Sequence, residues 1–500
     1  MVKRAGGALL LSIAIDHDSG RPLGTQLYVA LRDLMLAGAI PAGSRLPASR
    51  TLARDLGLSR TTVIDAYERL TADGLIEARV GAGSFVSAAL GAERPQPPPQ
   101  AASPRPVERP SLSKAIHWAV DRFSDRPRLP HAPRAFITAL PAFDAFPMAQ
   151  WARLAARHWR GAREDVLGYG PPFGHPPLRA AIAAHLRANR GIACEAGQIF
   201  IVGGAQQAFN LIGTVLLNPG DKVWFENPGA IGARNGFLAS GAELVAVPVD
   251  GEGLCVEEGL RRARDFRLVF VTPSHQQPLG HIMSLERRLA LLRSAEQAGA
   301  WIVEDDYDGE FFYRRPPLPT LKSVDRTGLV IYVGTFSKSL FPALRLGFML
   351  VPPSLVETFE KVSTAFVSGV PSSPQAVVAE FIQEGHFAAH LRRMRRIYEE
   401  RHAALRQAAA RELAGLLDVA ATGSGLHTIG HLPPEFSEIA VARAAAARGI
   451  VVSPIARFTI APIAENGLVL GFGGIKPQEI RAGVEVLAEV LRSLGRPRRG

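Results

Sequence analysis

The spacing of apolar residues near the start of the chain predicts three helices followed by a β-hairpin. Apolar residues recur every three or four positions from Gln26 to Leu36, and a second, shorter helix is predicted from Leu46 to Gly57. Ser59 stands where an N-cap would begin a third helix, and Gly74 follows the end of that helix. Residues 75–86 have the pattern of a hairpin with a glycine-rich tip. The pattern is that of a small α+β domain.

From about residue 134 onward, short β-rich runs alternate with helical stretches. The runs cover residues 199–202, 223–225, 244–247, 268–271, 301–303 and 329–333. Strands that alternate with helices favour a mostly parallel α/β sheet. In such sheets ligands bind at the carboxyl ends of the strands, so the residues that follow each run are the first places to look for chemistry.

Prolines concentrate between these two patterned regions, above all in residues 95–106. Such a composition favours an extended, semi-rigid linker over a packed core. The chain is therefore predicted to be multidomain, with a first domain over residues 16–88, a linker over residues 89–134 and a second domain over residues 135–496. Its 500 residues agree with this division, because a single core stops growing at about 250–300 residues.

Charge and cysteine content change this picture only a little. The formal net charge is +11, but acidic and basic residues nearly cancel over residues 16–88, so net charge supports nucleic-acid binding only weakly. Two cysteines, Cys194 and Cys255, exclude a disulfide framework and favour the reducing cytoplasm. The apolar run from Ala5 to Ile15 is too short to span a bilayer, so we expect no membrane partner.

The third predicted helix has the character of a DNA recognition helix. In helix-turn-helix proteins the first residues of this helix face base edges in the major groove, and the preceding helix and the hairpin contact the backbone and the minor groove. The alternative is a small helical domain with ordinary surface arginines. The predicted contacts with double-stranded DNA are Arg45, Ser49, Arg50, Arg60, Thr61, Thr62 and Gly81.

An apolar strand that begins at Val330 delivers two hydroxyls, a lysine and an arginine to one place. Thr335, Ser337 and Lys338 follow the strand, and Arg345 comes seven residues after the lysine. A lysine amine forms a Schiff base with an aldehyde, and hydroxyl and guanidinium groups bind a phosphate dianion. The combination suits a cofactor that carries both an aldehyde and a phosphate.

Three further strand ends carry groups that fit the same kind of cofactor. Gly204, Ala205 and Gln206 open a helix whose N-terminus is a ready anion site. Asp305 could keep a pyridine nitrogen protonated, and Tyr307 could bond a phenolic oxygen. Gln277 lies in a loop that could line the ring. A metal site is the rival explanation for the acidic cluster around Asp305, although no histidine stands at ligand spacing, so no metal ligand is predicted.

These motifs resemble known families. Residues 22–87 resemble the winged helix-turn-helix of GntR-type bacterial regulators. The strand-end motifs resemble the α/β fold-type I pyridoxal-phosphate domain of aspartate aminotransferase, as do residues 174–179, 385–387, 393–398 and 425–427. Together the two halves resemble the MocR subfamily of GntR regulators over nearly the whole chain.

The resemblance implies a role for each residue of the pocket. Pyridoxal 5'-phosphate would form the internal aldimine with Lys338, Asp305 would pair with the pyridine nitrogen, and Tyr307 would bond the ring oxygen. Ser337 and Arg345 would bind the phosphate. Because fold-type I sites are built at a dimer interface, the resemblance also implies a homodimer.

The sequence departs from the pattern of this family at several points of the pocket. Ala230 replaces a tyrosine that stacks on the ring, Gln277 replaces an aromatic residue, and Pro171 replaces an aspartate. No arginine stands near residues 467–472, where aminotransferases bind the substrate carboxylate, so Arg457 is the candidate effector-binding residue.

The resulting hypothesis is a cytoplasmic, pyridoxal-phosphate-dependent transcriptional regulator. It would sense a small amine, an amino acid or the cofactor itself through aldimine exchange at Lys338. One alternative is an active class I/II aminotransferase with an appended DNA-binding module. A second is a regulator whose cofactor pocket no longer works, an idea for which Ala230 is the main support.

Overall fold

A computed structural model describes residues 13–79, 82–92, 113–125, 132–160, 164–313 and 317–495. The chain forms two compact units, residues 1–110 and residues 111–500. Gly81 and most of the predicted linker lie outside the described residues. No helix of the described part is both long enough and apolar enough to cross a membrane.

The first unit has the predicted three helices and a hairpin. Its elements are α1 (Leu23–Leu36), α2 (Ser49–Leu56), α3 (Arg60–Ala72), β1 (Ile76–Arg79), β2 (Gly83–Val86) and a final turn, α4 (Ala89–Ala92). Leu27, Leu31 and Met35 lie one helical turn apart on α1 and are buried against α2 and α3. Strands β1 and β2 pair antiparallel. The helix and hairpin predictions hold to within a few residues at each end.

The second unit is built on an eight-stranded mixed sheet. Its strands are β3 (Ile199–Val202), β4 (Lys222–Asn227), β5 (Glu243–Asp250), β6 (Gly253–Leu254), β7 (Phe266–Val271), β8 (Trp301–Asp305), β9 (Val330–Thr335) and β10 (Gly347–Leu350). The strand order is β3-β10-β9-β8-β7-β4-β5-β6. Strands β9, β8, β7, β4 and β5 are parallel, whereas β10 runs antiparallel to both β3 and β9. The six predicted strands are present, but the sequence pattern did not indicate β10.

Helices cover both faces of this sheet. Those up to β10 are α5 (Lys114–Val120), α6 (Met148–His158), α7 (Glu164–Leu167), α8 (Pro176–Arg190), α9 (Ala205–Leu216), α10 (Ile231–Ala239), α11 (Val256–Arg262), α12 (Leu285–Ala298), α13 (Leu321–Val324) and α14 (Phe336–Ser339). On β4, Val223 and Phe225 belong to one buried cluster and Trp224 to another. This alternation of period two shows that the central strands are buried on both sides.

The C-terminal part adds five helices and a smaller antiparallel sheet. The helices are α15 (Val356–Phe366), α16 (Ser372–Gln383), α17 (His386–Glu412), α18 (Glu438–Ala447) and α19 (Pro477–Leu494), and the strands are β11 (Asp418–Val419), β12 (His427–His431), β13 (Ser453–Pro454) and β14 (Gly467–Gly471). The order in this sheet is β11-β12-β14-β13. Short 3₁₀ turns occur at Phe143–Ala145, Ala196–Gln198, Pro342–Leu344, Pro353–Leu355 and Ile455–Phe458.

Candidate functional site

The strand register brings the predicted phosphate-binding residues together. Gly347, the first residue of β10, is paired with Val202 on one side and with Thr335 on the other. The ends of β3 and β9 therefore flank the same point of β10. Gly204 and the N-terminus of α9 follow directly after β3, and Ser337 follows β9. The antiparallel strand that sequence analysis missed is thus what aligns these two loops.

Arg345 completes this group from the loop before β10. Its backbone is left-handed, with φ 51° and ψ 40°, although it carries a side chain. Such a conformation costs roughly 1–2 kcal/mol for a non-glycine residue. The arginine side chain approaches the glycine turn, because a Cβ built on Gly204 would lie 3.7 Å from Nη2 of Arg345. Gly204 itself has φ +98°, so both the space and the backbone favour glycine there.

The two hydroxyls next to Lys338 form a local hydrogen-bond network. Oγ1 of Thr335 accepts from the Ser337 backbone N–H at 3.2 Å and lies 3.1 Å from the Ser337 hydroxyl. These bonds cap the single turn of α14. Lys338 is half-buried on that turn. A guanidinium, two hydroxyls and a helix N-terminus therefore surround one place beside a lysine, which is a cradle for an anion.

Asp305 has one buried carboxylate oxygen without a donor among the described residues. It ends β8, is 5% exposed, and its Oδ1 has no hydrogen-bond partner among the described residues. Burial raises the pKa of Asp305 well above its ordinary value, the negative charge of Asp306 raises it further, and the Lys338 ammonium opposes the rise. A cationic donor such as a protonated pyridine nitrogen would satisfy this oxygen and lower the pKa.

Tyr307 is placed by a histidine that sequence analysis did not assign. Nδ1 of His275 lies 3.0 Å from the Tyr307 hydroxyl and 2.9 Å from Oδ2 of Asp308. The side chains of His275 and Asp308 are each 1% exposed. Asp308 follows Tyr307 directly in the sequence. His275 lies in the loop after β7 and reaches Tyr307 only because β7 and β8 are neighbours in the sheet.

The loop after β7 is also anchored by a buried glutamate. Glu226 accepts from the Thr272 backbone N–H at 3.0 Å, from the Thr272 hydroxyl at 2.6 Å and from Nε2 of Gln276 at 3.2 Å. Burial raises the pKa of Glu226 from 4.5 to about 7. The Gln277 backbone N–H donates to the Thr272 hydroxyl at 2.9 Å, which holds the predicted ring-lining residue in this loop.

Gln206 and Arg457 are engaged in contacts that their sequence positions did not indicate. Nε2 of Gln206 donates to the Gly232 carbonyl at 2.9 Å, so its side chain joins α9 to α10. Nη2 of Arg457 donates to the Asp125 carbonyl at 2.8 Å. Arg457 lies in a turn that packs beside Ala230, since the backbone N–H of Gly229 donates to the Phe458 carbonyl at 2.9 Å.

The fold brings two histidines, His275 and His427, next to the acidic cluster that follows β8. No histidine stands near that cluster in the sequence at the spacing of metal ligands. One ligand atom from each of His275, Asp308 and His427 lies within 4.8 Å of the other two. His427 is 4% exposed, its Nε2 lies 3.0 Å from the Pro278 carbonyl, and burial lowers its pKa to about 4. Long-range contacts of this kind cannot be read from residue spacing along one strand.

The three arginines among the predicted DNA contacts are exposed and come from short segments of the first unit. Arg45, Arg50 and Arg60 are exposed, and they form no ion pair within the part of the chain that the structure describes. The Ser59 hydroxyl caps α3 by accepting from the Thr62 backbone N–H at 3.1 Å. It also lies 2.7 Å from the hydroxyl of Thr61 and 2.8 Å from that of Thr62, so both threonines take part in the cap. Ser49 begins α2 and is half-buried.

Comparison with known proteins identifies both halves of the chain. Residues 23–86 match the gntR family of bacterial regulatory proteins, and residues 141–487 match the class I and II aminotransferases. The probable rhizopine catabolism regulatory protein MocR of Rhizobium meliloti is 40% identical over 488 residues, which is 96% of this chain and 96% of that protein. The pyridoxine biosynthesis transcriptional regulator PdxR of Corynebacterium glutamicum is 29% identical over 482 residues, 96% of this chain and 98% of that protein.

A solved structure supports the same assignment for the second unit. LysN, the α-aminoadipate aminotransferase of Thermus thermophilus, matches with a TM-score of 0.67 at 29% identity and covers 76% of this chain and 95% of its own. Its crystal holds N-(5'-phosphopyridoxyl)-L-leucine. The second unit is thus a fold-type I aminotransferase domain, a fold that implies pyridoxal-phosphate binding. The chain belongs to the MocR subfamily of GntR-type bacterial transcriptional regulators.

Proposed function

We propose that this protein is a DNA-binding regulator that uses pyridoxal 5'-phosphate to sense a small amine or amino acid. The observation that carries the proposal is the orphaned Oδ1 of Asp305, buried in a pocket that also holds Lys338 and an anion cradle. A buried acceptor without a donor is costly, so its persistence points to a ligand that supplies the donor. A cofactor pocket on a chain that begins with a DNA-binding domain suits a sensor.

Each end of the cofactor has residues that fit it. Gly204, Ala205, Ser337 and Arg345 would hold the phosphate, with Gln206 and Thr335 supporting the turns that carry them. Asp305 would hold the pyridine nitrogen and Tyr307 the ring oxygen, and Gln277 would line the ring. The bound cofactor supplies an aldehyde that condenses with amines. Lys338 supplies the amine that holds it covalently, and an effector amine would compete with Lys338 for that place.

The departures from the aminotransferase pattern support sensing over catalysis. Ala230, which is 3% exposed, has no ring to stack on a cofactor, and β14, which is buried throughout, carries no arginine for a substrate carboxylate. Arg457, on the turn beside Ala230, is the cation we assign to an effector carboxylate. Transamination requires the site to bind an amino acid and a keto acid in turn and to orient each one. Without an arginine to hold their carboxylates, repeated transfer of an amino group would be slow, because orientation of the substrate supplies much of an enzyme's rate.

Contacts of Arg457 offer a route from the effector towards the linker. Its guanidinium holds the Asp125 carbonyl at 2.8 Å, and the side chain of Asn235 bonds the Ser124 backbone at both ends, at 3.0 and 2.8 Å. Residues 124 and 125 belong to the predicted linker, residues 89–134. An effector carboxylate that recruits Arg457 would loosen this attachment, which is a differential contact of the kind an allosteric signal requires.

We further propose a homodimer that binds a two-fold operator in the cytoplasm. Trp159, Leu167, Tyr169 and Phe366 are exposed large apolar side chains. A Cβ on Gly369 would lie 3.6 Å from Pro171, so the segments after Tyr169 and Phe366 adjoin. Exposed apolar side chains on adjoining segments are typical of subunit interfaces. Two recognition helices related by two-fold symmetry would bind two half-sites, and the two free cysteines fit a reducing compartment.

The test is a visible absorbance spectrum of the purified protein with pyridoxal phosphate, followed by borohydride reduction and mass analysis of the peptide that contains Lys338. We expect a visible band and a reduced adduct on Lys338. Candidate amines should then shift the band and change the affinity for operator DNA in the same concentration range. A protein that stays colourless and unlabelled would refute the cofactor assignment.

The likeness to LysN favours one second candidate, an active aminotransferase with a DNA-binding module. Steady-state assays with pairs of amino acids and keto acids separate the two candidates. We expect spectral changes in a single exposure to an amino acid but no sustained turnover. Turnover in the range of roughly 1–10³ s⁻¹ that enzymes usually reach would establish the enzyme instead.

A further inference from the structure

The hydrogen bonds around Tyr307 restrict where its proton can point. An ionised carboxylate only accepts hydrogen bonds, so the 2.9 Å contact between Asp308 and Nδ1 of His275 requires a proton on Nδ1. With that proton in place, Nδ1 cannot accept from the Tyr307 hydroxyl 3.0 Å away. The single N–H on Nδ1 is therefore shared between Oδ2 of Asp308 and the Tyr307 oxygen, and the proton of the tyrosine hydroxyl is directed away from His275.

The other nitrogen of His275 agrees with this tautomer. A neutral imidazole with its proton on Nδ1 has a bare Nε2 that can only accept. Nε2 of His275 is buried and has no hydrogen-bond partner among the described residues. A protonated Nε2 would leave a buried donor unsatisfied, at about 1–3 kcal/mol, and a bare Nε2 leaves a buried acceptor, so the contact of Nδ1 with Asp308 is what decides the tautomer.

Two glycines hold the imidazole in this orientation. A Cβ on Gly425 would lie 2.2 Å from Cε1 of His275 and 2.8 Å from Oδ2 of Asp308, so the backbone at Gly425 packs directly against both side chains. A Cβ on Gly280 would lie 3.0 Å from Nε2. The backbone at these two glycines therefore encloses the ring on two sides.

The charges around Tyr307 keep its proton on the hydroxyl. Burial raises the pKa of Tyr307 well above 10, and the charges of Asp308, Asp305 and Glu226 raise it further. The remaining histidine of the group, His427, stacks beside Tyr307 with ring centroids 6.5 Å apart. Because burial lowers the pKa of His427 to about 4, it adds no positive charge at neutral pH.

We propose that His275 is a positioning residue that aims the Tyr307 proton at the ring oxygen of pyridoxal phosphate, with Asp308 fixing the tautomer of His275. The inference rests on the proposed function, since it takes Tyr307 as the partner of that oxygen. A hydrogen bond donated to the oxygen stabilises its ionised form. Losing the bond therefore raises the pH at which the visible absorbance of the loaded protein changes.

The experiment is a pH titration of the visible absorbance band in the full-length protein loaded with pyridoxal phosphate. For His275→Leu, which has no donor, we expect the midpoint to rise by about one pH unit, a tenfold change in the proton equilibrium. His275→Asn keeps an N–H close to the position of Nδ1 and should have the wild-type midpoint. His427→Gln is the matched control, because it changes a buried histidine of the same group that bonds Pro278 instead of Tyr307, and its midpoint should not move.

Asp308→Asn provides a second variant if His275→Leu does not fold, as judged by circular dichroism. An amide at this position can also donate and no longer fixes the tautomer of His275, so a smaller shift in the same direction is expected. Equal midpoints in wild type, His275→Leu and Asp308→Asn would overturn the inference while leaving the cofactor assignment intact. A wild type that binds no pyridoxal phosphate would instead refute the proposed function.

The same three residues also test a metal-binding explanation. Elemental analysis of the purified protein should find no stoichiometric zinc. Zinc at one equivalent that disappears in both His275→Leu and His427→Gln would overturn the inference, because His275, Asp308 and His427 would then be ligands and Nδ1 would not donate to Tyr307.

Discussion

The predicted DNA-binding surface and the candidate cofactor pocket differ in how their residues are brought together. The predicted DNA contacts lie between Arg45 and Gly81, and the described arginines among them are exposed. The pocket draws on residues from Gly204 to Arg345, on the ends of strands that are not neighbours in the chain. Asp305 is buried there, and its pKa is raised. Local segments therefore determine the first surface, whereas the sheet assembles the second, so a substitution in one surface should leave the folding of the other intact.

The largest expected effect is the loss of the cofactor link in Lys338→Ala. Without the amine on α14 no reducible bond can form, so borohydride should leave the protein unlabelled and the visible band should be absent. Lys361→Ala is the control, because that lysine is an exposed partner of Glu357 on α15. If the two regions are independent, binding to DNA of random sequence should be unchanged. A label that persists in Lys338→Ala would place the link on another lysine.

The stability of the ligand-free protein should depend on pH through the protonation of Glu226. The folded state raises the pKa of this carboxyl from 4.5 to about 7, so it holds its proton to higher pH than the unfolded chain does. Stability is therefore greatest below about pH 4.5 for this group and is lost as the pH rises towards 7, by on the order of 3 kcal/mol. Glu226→Gln should remove that loss. Thermal unfolding between pH 5 and pH 8 measures it, with exposed Glu357→Gln as the control.

Removing the charge of Asp305 should weaken cofactor binding without affecting binding to DNA of random sequence. A hydrogen bond to a charged group contributes about 1.5–3 kcal/mol, so the Kd for pyridoxal phosphate in Asp305→Asn should rise roughly 10- to 150-fold. Equilibrium dialysis against pyridoxal phosphate gives the constant, and exposed Asp418→Asn should match wild type. An unchanged Kd would mean that the orphaned Oδ1 does not face the ring nitrogen.

Arg60→Ala tests the predicted DNA-binding surface. Arg60 begins α3, and an arginine that reads a guanine contributes about 1–3 kcal/mol of discrimination. Affinity for the operator should fall and affinity for random DNA should change little, while the cofactor spectrum stays the same. Arg54→Ala, on α2 and paired with Asp55, is the control. An equal loss on both DNAs would make Arg60 a phosphate contact.

The smallest expected effect comes from Arg457→Ala, which tests whether the two regions communicate. Losing one hydrogen bond to Asp125 should free residues 113–125 by about 1 kcal/mol, or roughly a fivefold faster cleavage by a protease. Arg448→Ala removes an exposed ion pair with Glu489 and should not change the rate. If effector affinity and linker cleavage do not both change in Arg457→Ala, the proposed route between pocket and linker is wrong.

Most of the architecture was predictable because helices and strands follow from patterns of apolar residues that are close together in the sequence. The spacing of Leu27, Leu31 and Met35 defines α1, and the apolar runs define six of the strands of the large sheet. The candidate pocket was also partly predictable, because a residue that follows a parallel strand must lie at the same edge as those that follow its neighbours. Lys338 and Asp305 were found in this way.

Other features depend on contacts that no local pattern carries. The antiparallel strand β10 is only four residues long, and its apolar residues give no sign of direction. The bond between His275 and Tyr307 joins residues 32 positions apart, and the bond between Arg457 and Asp125 joins residues 332 positions apart. Periodicity describes one element at a time, so it cannot place these partners.

The sequence by itself determined the helices, most of the strands, the family resemblance and the residue types of the chemistry. Each of these follows from spacing along the chain or from a motif within one segment. Only the tertiary structure decided which groups share a proton, which acceptor lacks a donor and which carboxyls have raised pKa values. Those properties arise from burial and from the distance between atoms of different elements, and both exist only once the strands are in register and water has been excluded.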